Sequence, residues 1–270
     1  MGKRLCELKG DEWIRTIRRY EQKMEARVKA VVLAAGKGTR MHSESSDVPK
    51  VMRVVRGKPL LWHVLEALSF IEKKDIVIVV GYMKDTVINY FGAYGYALQA
   101  EQLGTGHAVM AARAELESFD GEILVCCGDM PAIKRDTYES FVSAHFEQKN
   151  DCTILTGESS IALPYGRVLR DEMGNFLEIV EDRDCTPEQL LIKELNSGVY
   201  MFNSGKLFEA LHSLRNNNSQ GEYYLTDVPW IMRDSGAQIG LHKRDLGDEI
   251  IGVNTPEQLA QVDEILSSRE

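Results

Sequence analysis

The segment Leu33-Ala-Ala-Gly-Lys-Gly-Thr-Arg-Met41 follows an apolar run and combines alanines and glycines with two cations. Successive N–H groups in such a turn form a concave nest for an anion, and Lys37 and Arg40 add mobile positive charge. Leu33, Ala34, Ala35 and Gly36 leave little bulk between backbone and ligand. A tight strand–helix turn without a ligand is the plain alternative. The pattern G-x-x-x-x-G-K-[ST] is absent, and Met41 stands where a dinucleotide fingerprint needs its third glycine.

Two further constellations carry possible chemistry. Asp129, in Cys-Cys-Gly128-Asp-Met-Pro, follows another apolar run, so its carboxylate falls where open α/β sheets place ligands. Beside a triphosphate such an aspartate is a natural Mg²⁺ ligand, because Mg²⁺ binds through one or two protein oxygens plus phosphate oxygens. An ordinary Gly-Asp-x-Pro turn is the competing reading. In Gln99-Ala-Glu-Gln102-Leu-Gly104-Thr105-Gly106-His107 an amide donates and accepts and so pairs with the edge of a pyrimidine, without choosing uracil over cytosine. Gly104 and Gly106 are expected to admit a flat base near the backbone. Gly166, Glu181, Asn196 and Asn254 each read alone as turn or edge residues. Together they are polar groups in need of partners, which a sugar's hydroxyls and amide would supply.

Charge narrows the ligand class. The 270 residues carry 32 Lys/Arg and 41 Asp/Glu, a formal net charge of −9, which argues against a nucleic-acid-binding surface. Residues 37–58 nevertheless hold six cations against Glu44 and Asp47, and residues 1–29 hold nine against five. A short cationic stretch in an acidic chain points to a local anion site or to a solvated loop. No apolar run approaches the ~18 residues of a membrane span. The five cysteines are odd in number and form no C-x-x-C, and the vicinal Cys126 and Cys127 lie in an apolar run that reads as packing. A reduced, cytoplasmic setting is expected. The six histidines show no metal-ligand spacing.

The elements that must position these groups follow from periodicity. Trp13, Ile17, Tyr20, Met24 and Val28 form a helical stripe with Asp11 as N-cap, an arm over residues 1–28 with no assigned chemistry. Val31–Ala35, Asp75–Val80 and Ile123–Cys127 read as strands buried on both faces, with Tyr96–Ala100 and Cys152–Thr156 as shorter ones. Pro59 is expected in the first turn of a helix that places Leu60, Val64, Leu68 and Ile71 on one side. Helices are expected after Thr105 and over Thr137–Gln148, Tyr224–Met232 and Pro256–Leu266. Strands are expected at Val168–Arg170, Phe176–Val180 and Val199–Phe202. The pattern predicts one mixed α/β domain over 29–270, with a nucleotide half of about 29–150 and an acceptor half of about 151–255.

LAAGKGTRM, VPKV, QAEQLGTGHA, GDMP, YGRV, IVEDRD, ELNSGVY, NNNSQGEYYLTD and GVN, in this order, resemble the sugar-1-phosphate nucleotidyltransferase family. Within it the pattern is most similar to the uridylyltransferase domains of bacterial N-acetylglucosamine-1-phosphate uridyltransferases. The similarity covers about residues 29–255. It implies a Rossmann-like (GT-A-type) mixed, mostly parallel sheet flanked by helices, after the helical arm. It also implies Mg²⁺-dependent transfer of uridylyl from UTP to N-acetylglucosamine 1-phosphate, releasing pyrophosphate, in nucleotide-sugar biosynthesis for cell-wall precursors. On that resemblance Leu33 to Gly36 and Lys37 hold nucleotide, with Gln99, Gln102, Gly104 and Thr105 around uracil and Gly128 beside Asp129. Arg40, Lys50 and Asp129 are the catalytic residues, the two cations gripping the phosphates. Asp129 and Asn254 ligate the metal, and Gly166, Glu181 and Asn196 contact the amino sugar.

Two departures stand against the resemblance. HSESSDVP makes the link between Arg40 and Lys50 longer than usual and adds Glu44 and Asp47. The family's bifunctional members continue into a hexapeptide-repeat domain that acetylates and trimerises, so acetyltransfer and that trimer are not expected here. The alternatives left open are transfer to another sugar phosphate or from CTP, and a non-catalytic nucleotide-sugar-binding subunit.

Overall fold

The computed structural model describes residues 28–38, 48–158 and 163–269. The stripe from Trp13 to Met24 with its Asp11 cap, Arg40, and the pair Glu44 and Asp47 lie outside the described residues, whereas Val28, expected as the last residue of that helical stripe, instead opens a strand.

Among the described residues nine strands form one sheet: β1 Val28–Leu33, β2 Ile76–Val80, β3 Gly95–Leu98, β4 Glu122–Cys127, β5 Cys152–Glu158, β6 Arg167–Arg170, β7 Phe176–Val180, β8 Glu194–Asn203 and β9 Ile239–Arg244. Their spatial order is β9-β5-β8-β4-β1-β2-β3, with β6 paired to β8 and β7 to β6. Along that path β8 alone runs against its neighbours, and the other pairings are parallel. The fold is mixed α/β with a mostly parallel sheet.

Both faces of the sheet are covered, which is why its central strands are unbroken apolar runs. Ala30, Val32, Ile76, Ile78, Leu124 and Cys126 pack on one face against α1 Leu60–Ala67, α2 Lys84–Phe91 and α4 Arg135–Gln148. The alternate residues Val31, Val77, Val79, Ile123 and Val125 pack on the other against α3 Thr105–Ala111, α5 Ser204–Ser213 and α6 Val228–Asp234. The final helix, α7 Pro256–Ser267, seals a smaller cluster containing Leu60, Ala132, Val253 and Val262.

This arrangement fixes where a ligand goes. The chain leaves β1 through α1 on one face and enters β4 through α3 on the other, yet β1 and β4 are neighbours. Connections departing to opposite sides open a crevice at the carboxyl ends of that pair. The loops beyond Leu33 and Cys127 line it.

Several expected boundaries move. β1 ends at Leu33, although one inter-strand bond continues beyond it, Ala34 N donating to Val79 O of β2 at 2.9 Å. Pro59 caps α1 from a two-residue hairpin strand, and Ile71 lies beyond the helix but in the same core. The expected helix Tyr224–Met232 is a 3-10 turn, Leu225–Asp227, leading into α6. Periodicity did not announce α2, α5 or β9. β9 is an edge strand of half-buried residues, so it carries no apolar run.

Asn254 owes its backbone position to the start of α7. Thr255 Oγ1 accepts from Gln258 N, and Gln258 Oε1 accepts from both Thr255 N at 3.1 Å and Asn254 N at 2.7 Å. Thr255→Ala is expected to lower unfolding free energy by about 1 kcal/mol. Urea denaturation checks this as a shifted midpoint with an unchanged slope.

Candidate active site

At the crevice the ends of β1 and β4 are tied by Gly128 N donating to Leu33 O at 2.9 Å, and Asp129 emerges immediately beyond. The segment before α7 is laid against it by Val253 N donating to Asp129 O at 2.9 Å. Lys50 opens a short 3-10 turn, Lys50–Met52, directly after Pro49. Its Nζ donates to Asp129 Oδ2 and, at 3.1 Å, to Asn254 Oδ1. One ammonium thus joins oxygens 79 and 204 residues away in sequence. With Lys50 and Asp129 only 14% and 20% exposed, water screens their attraction weakly.

Two cavities meet at this point. The larger, of about 810 Å³, is lined by Leu33, Ala34, Ala35, Gly36, Lys37, Gln99, Gln102, Gly104 and Thr105, together with Lys50, Asp129 and Asn254. The smaller, of about 180 Å³, is lined by Gly166, Glu181 and Asn196, again with Asp129 and Asn254. Gly128 lines neither; its main chain joins the two strand ends instead. Glu222 on the larger cavity, and Tyr165, Tyr200 and Thr226 on the smaller, were not singled out from sequence. Their signals were the tyrosines of PYGRV and ELNSGVY and the run NNNSQGEYYLTD.

On the larger side, Gln99 is buried and its Nε2 donates to Gly104 O at 3.0 Å and lies 3.2 Å from His107 Nδ1. Its amide nitrogen therefore shapes the loop. Gly104 and Gly106 do make a close approach possible, here to protein. A Cβ on Gly104 (φ +107°) would lie 2.6 Å from Tyr223 O, and one on Gly106 would lie 2.5 Å from Leu214 Cδ2. Tyr223 N donates to Leu103 O, Gly106 N to Tyr223 O and Leu225 N to Thr105 Oγ1. The Tyr223 main chain thus fills the space a side chain would need at either glycine, while Gly104 also lines the larger cavity.

On the smaller side, Asn196 is held by Nδ2 donating to Tyr200 OH at 2.7 Å and Oδ1 accepting from Gly198 N at 3.1 Å. Glu181 Oε1 accepts from Thr226 Oγ1 at 2.9 Å. Burial raises the Glu181 carboxyl above its usual range; the Thr226 bond works against this, and nearby Asp227, Asp184 and Glu222 add to the rise. Tyr165 OH accepts from Gly252 N at 2.8 Å, and burial pushes that phenol up to about 12. Burial likewise pushes the Cys126 thiol up to about 12 and the Cys127 thiol higher still, which favours the protonated form of both.

Among the described residues no group of three or more His, Cys, Asp or Glu could hold a metal. Asp129 and Asn254 offer two hard oxygens already gathered on one positive charge. That donor set suits an oxygen-seeking divalent ion whose remaining ligands come from substrate.

Residues 30–226 match the sequence profile described as the MobA-like NTP transferase domain. The chain belongs to that family. This MobA-like domain is 43% identical over 242 residues to the protein named Bifunctional protein GlmU of Clostridioides difficile (strain 630), covering 89% of the chain and 52% of the relative. It is 42% identical over 241 residues to Bifunctional protein GlmU of Streptococcus thermophilus (strain ATCC BAA-491 / LMD-9), with the same coverage. The chain thus spans about half the length of the curated relatives it matches. A solved UDP-glucose pyrophosphorylase complexed with UDP-glucose superposes with a TM-score of 0.72 at 17% identity, covering 90% of this chain and all of that one, and so shares the fold. The matched stretch of the MobA-like domain ends at Thr226, and Asn254 lies beyond it.

Gly104→Ala in this MobA-like domain is expected to cost about 1–3 kcal/mol of stability, since only glycine adopts that backbone readily. A lowered urea midpoint checks it. Asp227 supplies a pH test: burial raises its carboxyl to about 6, opposed by a hydrogen bond from Trp230 and reinforced by Asp184 and Glu178. A carboxyl raised on folding holds its proton longer in the folded state, so its ionisation removes stability as pH climbs from its unfolded value to about 6. Asp227→Asn is therefore expected to melt higher than the unsubstituted chain, by a margin that grows between pH 4 and 6 and is level above. Thermal melts across that range give the comparison.

Proposed function

We propose that the chain transfers uridylyl from UTP to N-acetylglucosamine 1-phosphate, forming UDP-N-acetylglucosamine and pyrophosphate. The observation that carries this reading is the meeting of two cavities at Asp129 and Asn254, with Lys50 between them. The larger suits a nucleoside triphosphate and the smaller a sugar ring, consistent with a nucleotide half of about 29–150 and an acceptor half of about 151–255. The relatives named GlmU support the same choice of reaction.

A sugar-phosphate oxygen is already ionised and needs no general base to attack the α-phosphorus in line. The protein's contribution is therefore position and charge. Leu33 to Lys37 cradle phosphate through the backbone, and Lys50 moves its charge onto the triphosphate, joined by Arg40. Asp129 and Asn254 would hold Mg²⁺, which would supply further neutralisation of charge on the leaving pyrophosphate. Gln102 and Thr105 face the base, while Gly166, Glu181 and Asn196 border the sugar. The reading includes a cytoplasmic setting, supported by the cysteines among the described residues, Cys126, Cys127, Cys152 and Cys185, all being free.

Pyrophosphate release from a panel of nucleoside triphosphates and sugar 1-phosphates, with Mg²⁺, tests the proposal. UTP with N-acetylglucosamine 1-phosphate is expected to turn over fastest. Asp129→Ala should nearly abolish release, and Lys50→Ala should cost about 10²–10³ in kcat. Preference for CTP or another sugar would redirect the assignment, and turnover unaffected by Asp129→Ala would remove that residue from the mechanism.

A further inference from the structure

Arg167, the first residue of β6, is only 6% exposed and does not line either cavity. Its Nη1 donates to the Tyr165 carbonyl and its Nη2 lies 3.1 Å from Asp182 Oδ1. Its Nε has no partner among the described residues. As a stabilising device this is a poor choice: a buried charge with one carboxylate partner and an unmatched N–H commonly gains nothing over an apolar side chain of similar volume.

The guanidinium's placement is better explained by geometry. Tyr165 and Gly166 immediately precede Arg167, and Glu181 immediately precedes Asp182. The planar fork therefore braces the adjoining ends of β6 and β7, which pair antiparallel with Arg167 opposite Val180 and whose flanking residues Tyr165, Gly166 and Glu181 all line the smaller cavity. They come close already, since a Cβ on Gly166 would lie 2.6 Å from Ile179 Cγ2 and 3.6 Å from Val180 O. Arginine presents donors in two fixed directions at once, which a lysine ammonium on a flexible stem does not reproduce.

We propose that Arg167 is a positioning residue for the acceptor: it sets the spacing between Tyr165–Gly166 and Glu181, and so the fit of the sugar ring, without touching it. The proposal rests on reading the smaller cavity as the sugar-phosphate subsite. Kinetics with UTP and sugar phosphate varied separately are compared for the full chain and for Arg167→Met, Arg167→Lys, Asp182→Asn and the double variant Arg167→Met/Asp182→Asn. The KM for sugar phosphate rises about ten- to hundred-fold in Arg167→Met while the KM for UTP holds. Arg167→Lys does not rescue it, Asp182→Asn shows a smaller rise, and the double variant is no worse than Arg167→Met because both remove one link. Equal changes in both KM values, or a lowered melting temperature with unchanged kinetics, would overturn it. If Arg167→Met does not fold, the same KM split in Asp182→Asn decides. Calorimetric binding of N-acetylglucosamine 1-phosphate separates the two failures. An unsubstituted chain that binds none refutes the reading of the cavity, whereas equal binding by that chain and the variants refutes the role of Arg167.

Discussion

The ammonium of Lys50, shared between the carboxylate of Asp129 and the amide oxygen of Asn254, is the contact on which the crevice depends. Each of the three comes from a different part of the chain, and each is carried there by a separate structural device. Asp129 rides the end of a buried central strand, Asn254 the start of a capped helix, and Lys50 a 3-10 turn following a proline. Bringing two oxygen-rich groups together out of bulk water is unfavourable without a positive charge between them. In the proposed reaction the same focus that accommodates an ammonium would offer a hard cation two oxygen ligands.

A second constraint joins the two cavities. The strap Tyr223–Thr226 holds the Leu103–Gly106 loop on one side through main-chain hydrogen bonds and Thr105 Oγ1, and holds Glu181 on the other through Thr226. Glycines at 104 and 106 are needed because the strap runs through the space their side chains would fill. The walls of the two cavities are therefore parts of one hydrogen-bonded unit, which gives the glycine-rich loop a structural task as well as a place beside the ligand.

Much of the sheet was legible from the chain alone. β1, β2 and β4 are buried on both faces and so appear as continuous apolar runs, and β7 matches its expected span, Phe176–Val180. The elements that periodicity missed have physical reasons: β9 is a half-buried edge strand, and α2 is a polar-faced helix with Val87 as its only buried residue. Every described site residue named by motif lines one of the two cavities except Gly128, which is main-chain structure, whereas Glu222, Tyr165, Tyr200 and Thr226 line them without having been named; Arg40 lies outside the described residues.

What the sequence determined by itself was the inventory: apolar runs that must be buried, glycines that mark tight loops, and oxygen and nitrogen groups of the right types to handle phosphate and sugar. Local pattern carries that information because it acts over a few residues. Tertiary structure alone decided which groups share a charge, that the Tyr223 main chain packs against Gly104, and that Arg167 reaches both Tyr165 and Asp182. Those contacts join segments whose meeting is set by strand order and helix packing, and such long-range pairings leave no trace in the spacing of residues along the chain.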